Sequence, residues 1–181
     1  MHATICDMIT DLVQNSIEAN AKEITLNVEE TKTNLNIVIA DNGKGMSAET
    51  LEKATDPFYS EDQKHPHRKV GLGLPFLFQT AEMTGGAAAI ESKEGAGTTV
   101  TFNADPTNVD LPQFGNFTTA AVTLMAYGFE GNLKIERSVN GRSYTVSRNE
   151  LTEALGDLKD TENLVLLKKF IASHEEELRT F

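Results

Sequence analysis

The chain has a single cysteine and no tryptophan in its 181 residues. One thiol excludes an internal disulfide and suits a reducing cytoplasm. Cys6 sits within an apolar helical pattern, which points to a buried structural thiol more than to a nucleophile. Long apolar runs are missing too. No stretch approaches the eighteen or so residues of a membrane span, and Met1-His2-Ala3-Thr4 lacks the basic start of a secretion signal. Basic residues are few: 16 Lys and Arg stand against 27 Asp and Glu, for a net charge of −11. That balance argues against a nucleic-acid partner, whose affinity rests on clustered Lys and Arg. The densest basic patch, His65, His67, Arg68 and Lys69, suits a small anionic ligand better than a polymer.

What is present suits a folded chain. An apolar content of 39% with 24% charged residues allows one good core, or one domain with a sizeable appendage. Residues 3 to 19 read as a helix with Ile5, Met8, Ile9, Leu12, Val13 and Ile17 on one stripe and Asp7, Asp11, Asn15 and Glu18 on the other. Glu23 to Glu29 alternates as a strand, and Leu35 to Ala40 is a mostly apolar strand that stops at Asp41. Ser47 is placed to cap a short helix over Ala48 to Ala54. Residues 56 to 70 lack periodicity and carry two prolines, which reads as a long mobile loop. Pro75 then opens a helix that runs through Phe76 to Met83 and ends at Gly85-Gly86. Strands follow over 87–92 and 98–104.

Asp105 to Gln113 reads as a linker, with Pro106 and Pro112. Beyond it, Phe117 to Tyr127 is an expected helix, and Leu133 to Val146 a hairpin around the type I′ signal Asn140-Gly141. Ser147 to Glu150 has the pattern of a capping box opening a helix through Leu155. A last amphipathic helix covers Thr161 to Leu178, and its Glu175-Glu176-Glu177 run is expected to be a solvated face. The organisation expected is residues 1–105, a linker at 106–113 and a small C-terminal region at 114–181.

Several short polar stretches carry chemistry. A carboxylate at the end of a buried strand needs a partner, and the amino group of adenine could satisfy Asp41 while Gly43 and Gly45 let a flat base approach the backbone. An Asx-turn, with Asp41 accepting nearby amides, is the plainer alternative. Asn15 offers an amide oxygen suited to Mg²⁺. Asp11, one helical turn earlier, could polarise a water or hydroxyl for attack on a γ-phosphate, or simply belong to a solvated face. Gly71 and Gly73 precede a helix whose free amides would point at anionic oxygens. There is no Walker A loop, and Phe76 occupies the third glycine position of a dinucleotide fingerprint.

Taken in order, these stretches resemble the GHKL superfamily of gyrase, Hsp90, histidine kinase and MutL ATPase domains, the Bergerat fold. Asp11-Leu12-Val13-Gln14-Asn15-Ser16-Ile17-Glu18-Ala19 resembles its N box, and Asp41-Asn42-Gly43-Lys44-Gly45-Met46 its G1 box. Asp56-Pro57-Phe58-Tyr59 is similar to the F-box region of histidine kinases and Gly71-Leu72-Gly73-Leu74 to their G2 box. Gly95-Ala96-Gly97-Thr98-Thr99-Val100 resembles the closing glycine-threonine segment. The resemblance implies an α+β, two-layer sandwich with a mixed sheet covered by helices on one face. It implies ATP and Mg²⁺ as ligands: Asn15 for the metal, Asp41 for adenine N6, and Thr98 supporting the base through its hydroxyl or a water. Gly43, Gly45, Met46, Gly71, Leu72, Gly73 and Leu74 would shape the base pocket and lid. Arg68 or Lys69 would reach the phosphates from a lid over 56–70.

Hydrolysing members of the superfamily such as MutL and Hsp90 carry a Glu where this chain has Asp11, one methylene shorter. Histidine kinases carry a dimerisation helix with the phosphoacceptor histidine ahead of the N box, and here four residues precede Ile5. The expected protein is therefore a stand-alone ATPase or kinase, with Asp11 as general base. The alternative is a non-catalytic ATP sensor whose lid closure changes what residues 107–181 bind. A protein partner through that region, and a homodimer, are both compatible with the sequence.

Overall fold

A computed structural model describes residues 4–55 and 73–180. The loop read over 56–70, the F-box-like segment, and the candidate residues Arg68, Lys69, Gly71 and Leu72 lie outside the described residues.

Helix α1 (Ile5–Glu18) forms where the apolar stripe predicts it, and buries Ile5, Met8, Ile9, Leu12 and Val13. Its start is a capping box: the Thr4 hydroxyl accepts from the Asp7 N–H at 3.1 Å and the Asp7 carboxylate accepts from the Thr4 N–H at 3.0 Å. Its end is Asn20, whose φ of 59° lies in the left-handed region that stops helices. The chain continues as β1 (Glu23–Glu30), β2 (Leu35–Asp41), α2 (Ala48–Thr55), α3 (Gly73–Thr84), β3 (Ala87–Lys93) and β4 (Gly97–Ala104). It ends with α4 (Phe117–Ala126), β5 (Asn132–Val139), β6 (Arg142–Ser147), α5 (Arg148–Leu155) and α6 (Thr161–Arg179).

One mixed sheet runs β3-β4-β2-β1-β5-β6, with β1 and β5 parallel and the other neighbours antiparallel. Alternation sends Ile24, Leu26, Val28, Leu35, Ile37, Ile39, Phe102, Leu133 and Ile135 toward the helices. The reverse side carries half-buried polar residues such as Thr25, Asn27, Asn36, Thr99 and Thr101. This is the two-layer α+β arrangement of the Bergerat type, with α3, α1 and α4 packed side by side over the sheet.

The hairpin turn has φ of 49° at Asn140 and 84° at Gly141, as a type I′ turn requires. Its first strand pairs with β1 over eight residues, from Glu23↔Asn132 to Glu30↔Val139. Sheet and core therefore both cross residue 105, and the buried apolar residues from Ile5 to Leu178 form one cluster. The 106–113 segment is tied down as well. The Asn108 amide donates to the Thr84 carbonyl at 2.9 Å, and the carbonyls of Gln113 and Phe114 accept from the Ile5 and Cys6 N–H groups at 2.9 Å. Those two N–H groups belong to the first turn of α1, which has no intrahelical acceptor for them.

Two local expectations are corrected. Ser147 stands at the N-cap of α5, but its hydroxyl makes no cap bond. It donates instead to Asn132 Oδ1 at 3.1 Å, and that same oxygen accepts the Asn149 N–H at 3.1 Å. The neighbouring strand thus supplies the cap that the box pattern assigned locally. Glu175 is buried rather than solvated. It accepts from the Tyr144 hydroxyl at 2.7 Å and lies 3.5 Å from Arg137 Nε, while Glu176 and Glu177 are exposed. The cause is Arg137, which faces the helices from β5 and is wholly buried against the rings of Phe114 and Phe117, 5.0 and 5.1 Å from its guanidinium carbon. A buried cation requires anions, and Glu175 and Glu30 provide them.

Candidate functional site

Asp41 ends β2 directly opposite Thr98 on β4, and Thr98 is in turn opposite Ser92 on β3. Opposed residues on antiparallel strands share a face, so the three form a row on the helix-covered side of the sheet. Asp41 Oδ2 accepts from the Ser16 hydroxyl of α1 at 2.7 Å, and Oδ1 from the Gly43 N–H at 2.8 Å. The second bond is the Asx-turn. It does not exhaust the carboxylate, whose two oxygens have about four acceptor positions between them.

The turn after Asp41 is pinned from several directions. Asn42 Oδ1 accepts the N–H groups of Lys22 and Glu23 at 2.8 and 2.9 Å. The Lys44 N–H donates to the Ala19 carbonyl at 2.9 Å, and the Lys44 carbonyl accepts from the Gly95 N–H at 2.7 Å. The Met46 N–H donates to the Ser92 hydroxyl at 2.9 Å. Such closeness explains the glycines from inside the protein. A Cβ on Gly43 would lie 2.8 Å from the Ala19 carbonyl oxygen, and one on Gly45, at φ 63°, only 2.0 Å from that of Lys93. On Gly97 it would lie 1.9 Å from the Asp41 carbonyl oxygen.

Along α1, Asp11 and Asn15 are four residues apart and both half-buried, and Ser16, next to Asn15, is the residue that reaches Asp41. Asp11 lies against the start of α3: a Cβ at Gly73 would be 2.8 Å from Asp11 Oδ2. Glycine there lets α3 pack close against a carboxylate. Leu74 packs half-buried against the core beside it. The structure thus groups Asp41, Gly43, Gly45, Met46 and Thr98 at one end, and Asp11, Gly73 and Leu74 at the other, with Asn15 on the helix that joins them. A groove of about 440 Å³ between α1 and α4 also has Asp11 in its wall, together with Asp7, Gln14 and Thr119.

Sequence reasoning gave no role to Ser16 or Ser92. A signal existed for each: Ser16 interrupts the apolar side of the first helix, and Ser92 falls on the inward register of β3 with Ile90. Among the described residues no group of three or more His, Cys, Asp or Glu could hold a metal. A lone amide such as Asn15 fits Mg²⁺ carried in on phosphates, since that ion keeps several waters and takes few protein ligands. The Asp41 carboxylate and the Thr98 hydroxyl, the latter 2.8 Å from Ser92 Oγ, have acceptor capacity that fits a base bearing an amino group.

A family profile described as histidine kinase-, DNA gyrase B-, and HSP90-like ATPase matches residues 2–108. The chain belongs to this family. Within the ATPase family it is similar to the histidine protein kinase DivJ of Caulobacter vibrioides, 34% identical over 96 residues, which cover 51% of this chain and 16% of that protein. It is also similar to sporulation kinase C of Bacillus subtilis, 34% identical over 89 residues, covering 48% of this chain and 20% of that one. The chain thus spans a fifth or less of either relative's length. Among solved structures, the N-terminal domain of a DNA repair protein superposes with a TM-score of 0.59 at 14% identity, over 90% of this chain and 59% of that one. That likeness is one of fold, and at 90% of the chain it extends past residue 108. The catalytic domain of the histidine kinase ThkA covers 57% of this chain and 66% of its own, with a TM-score of 0.43 at 25% identity. The profile match over residues 2–108 makes the chain an ATP-binding module of this ATPase family. None of its described helices is long and apolar enough to cross a membrane.

Proposed function

We propose that this module binds Mg-ATP and uses it for regulatory phosphoryl transfer or hydrolysis. The observation that carries the reading is the Asp41–Thr98 pair, an anion and a hydroxyl on neighbouring strands, tethered by Ser16, Gly43 and Ser92 at one end of the helix that bears Asn15 and Asp11. Asp41 takes the adenine amino group, Thr98 supports the base, and Gly43, Gly45 and Met46 form the wall beside it. Asn15 holds Mg²⁺, which when bound supplies charge neutralisation at the phosphates. Gly71, Leu72, Gly73 and Leu74 border the phosphate end, and Arg68 or Lys69 pairs with the phosphates.

Asp11 acts as general base toward water or an acceptor hydroxyl. Its place beside Gly73 of α3, where a Cβ would lie 2.8 Å from Oδ2, puts it at the end of the site assigned to the phosphates. The shorter reach of an aspartate suits a base working through an intervening water.

One observation favours a second reading, the ATP sensor. The carbonyls of Gln113 and Phe114 hold the first turn of the helix whose later turns carry Asp11, Asn15 and Ser16. A nucleotide that favours one position of this helix would thereby change what residues 107–181 present to a protein partner, with no need for hydrolysis.

Purified protein given Mg-ATP separates the readings through phosphate release and γ-phosphoryl labelling of candidate acceptors. Turnover lost in both D11N and D41N supports catalysis with Asp11 as base. Turnover lost in D41N but untouched in D11N removes Asp11 from that role. Tight binding without turnover or transfer selects the sensor.

A further inference from the structure

We propose that Ser92 fixes the hydrogen-bonding polarity of Thr98 and so makes the base end of the site selective for a purine with an exocyclic amino group. The inference rests on the ATP reading above and deepens it.

The argument is a count of protons. A serine hydroxyl has one proton to give and two lone pairs to receive. Ser92 Oγ receives the Met46 N–H at 2.9 Å, and its own proton goes to the Gly97 carbonyl at 3.1 Å. One lone pair is left, and the remaining neighbour is Thr98 Oγ1 at 2.8 Å. One assignment makes all three contacts hydrogen bonds at once: Ser92 gives its proton to Gly97 and Thr98 donates to Ser92. The only hydroxyl proton of Thr98 is then spent inside the protein, and what it has left to offer a ligand are lone pairs.

Asp41, directly opposite Thr98, is likewise an acceptor. Each of its oxygens already has one donor, from Ser16 and Gly43, which leaves acceptor capacity and no proton. Two acceptors on adjacent strands suit a group with two N–H bonds, such as the amino group of adenine. They disfavour a purine with a carbonyl oxygen at the same position, which would face lone pairs with lone pairs. Ser92 is a positioning residue here. It acts through Thr98, and through the Met46 amide it also ties the β3–β4 hairpin to the turn after Asp41.

Calorimetric titration of the full chain with Mg-ATP and with Mg-ITP, whose base carries a carbonyl oxygen in place of the amino group, tests the assignment. The unmodified chain is expected to prefer ATP. S92A releases the Thr98 proton and is expected to reduce the ATP-over-ITP ratio about fivefold to tenfold, as well as weakening ATP. S92T, which keeps the hydroxyl, is expected to restore the ratio, and in a T98V background S92A is expected to change it no further. Circular dichroism checks that S92A folds; if it does not, S92C carries the same expectation, since a thiol is a weak donor and acceptor of similar size. Equal weakening of both nucleotides in S92A would reduce Ser92 to a structural role and overturn the proposal, leaving the ATP reading intact. Failure of the unmodified chain to bind ATP at all would overturn both.

Discussion

At the scale of single residues, the turn after Asp41 has no room for a methyl group at several points. Gly97, at φ 92°, would drive a Cβ to 1.9 Å from the Asp41 carbonyl oxygen, whereas Gly95, at φ 77°, faces open space. The G97A variant is therefore expected to lose about 2 kcal/mol or more of stability, and G95A about 1 kcal/mol from backbone strain alone; urea unfolding measures both. Cys6 offers a different test. Burial pushes its thiol pKa from 9.0 up to about 12, with nearby Arg137 opposing the shift. The folded state therefore keeps the proton when the unfolded chain has lost it, so stability falls as pH rises from 9 toward 12. Replacing Cys6 by Ala should flatten that fall, and in the native protein the thiol should react with an alkylating reagent only as fast as the chain opens. Much at this scale was legible. Asp41 stood out because a carboxylate closing an apolar strand needs an explanation, and the buried thiol followed from its helical stripe. Glu175 was not legible. Its burial depends on Arg137, 38 positions away in a strand whose register no local pattern reveals.

Element by element, helix termini are where local pattern and tertiary contact compete. At α1 the local box forms with Asp7 in the role usual for Glu, and the docked carbonyls of residues 113 and 114 complete the end. At α5 the box loses to Asn132. Removing the acceptor in N132A is expected to cost about 1 kcal/mol, the worth of an N-cap, and S147A only a few tenths; thermal melts of the two variants give the ranking. Helices and strands were readable in the sequence because their apolar periodicities are long and clean. Helix α3 contains Pro75, the proline that announced it, among its described residues. The cap partners were unreadable, because a side chain from a neighbouring strand enters no local pattern.

Across the whole molecule, the chain closes on itself in a way that motif order does not disclose. The motifs end near residue 104, yet β5 pairs in parallel with β1, and Arg137 joins β1, β5 and α6 through Glu30 and Glu175. The R137M variant leaves Glu175 buried without its cation, so a loss of about 3 kcal/mol is expected, partly recovered in R137M/E175Q. Denaturant titration of the single and double variants checks this. A parallel pairing between strands about a hundred residues apart has no turn to signal it, which is why the continuity of the sheet escaped the sequence while the hairpin itself did not. The proposed ATP site draws on this same body, on α1, the β2 terminus and the β3–β4 hairpin. Its central claim is that Asp41 anchors the adenine of ATP. Equilibrium titration of the full chain with Mg-ATP, beside D41N, tests this most directly: the unmodified chain is expected to bind and D41N to bind at least tenfold more weakly, whereas equal affinity in the two would contradict the account.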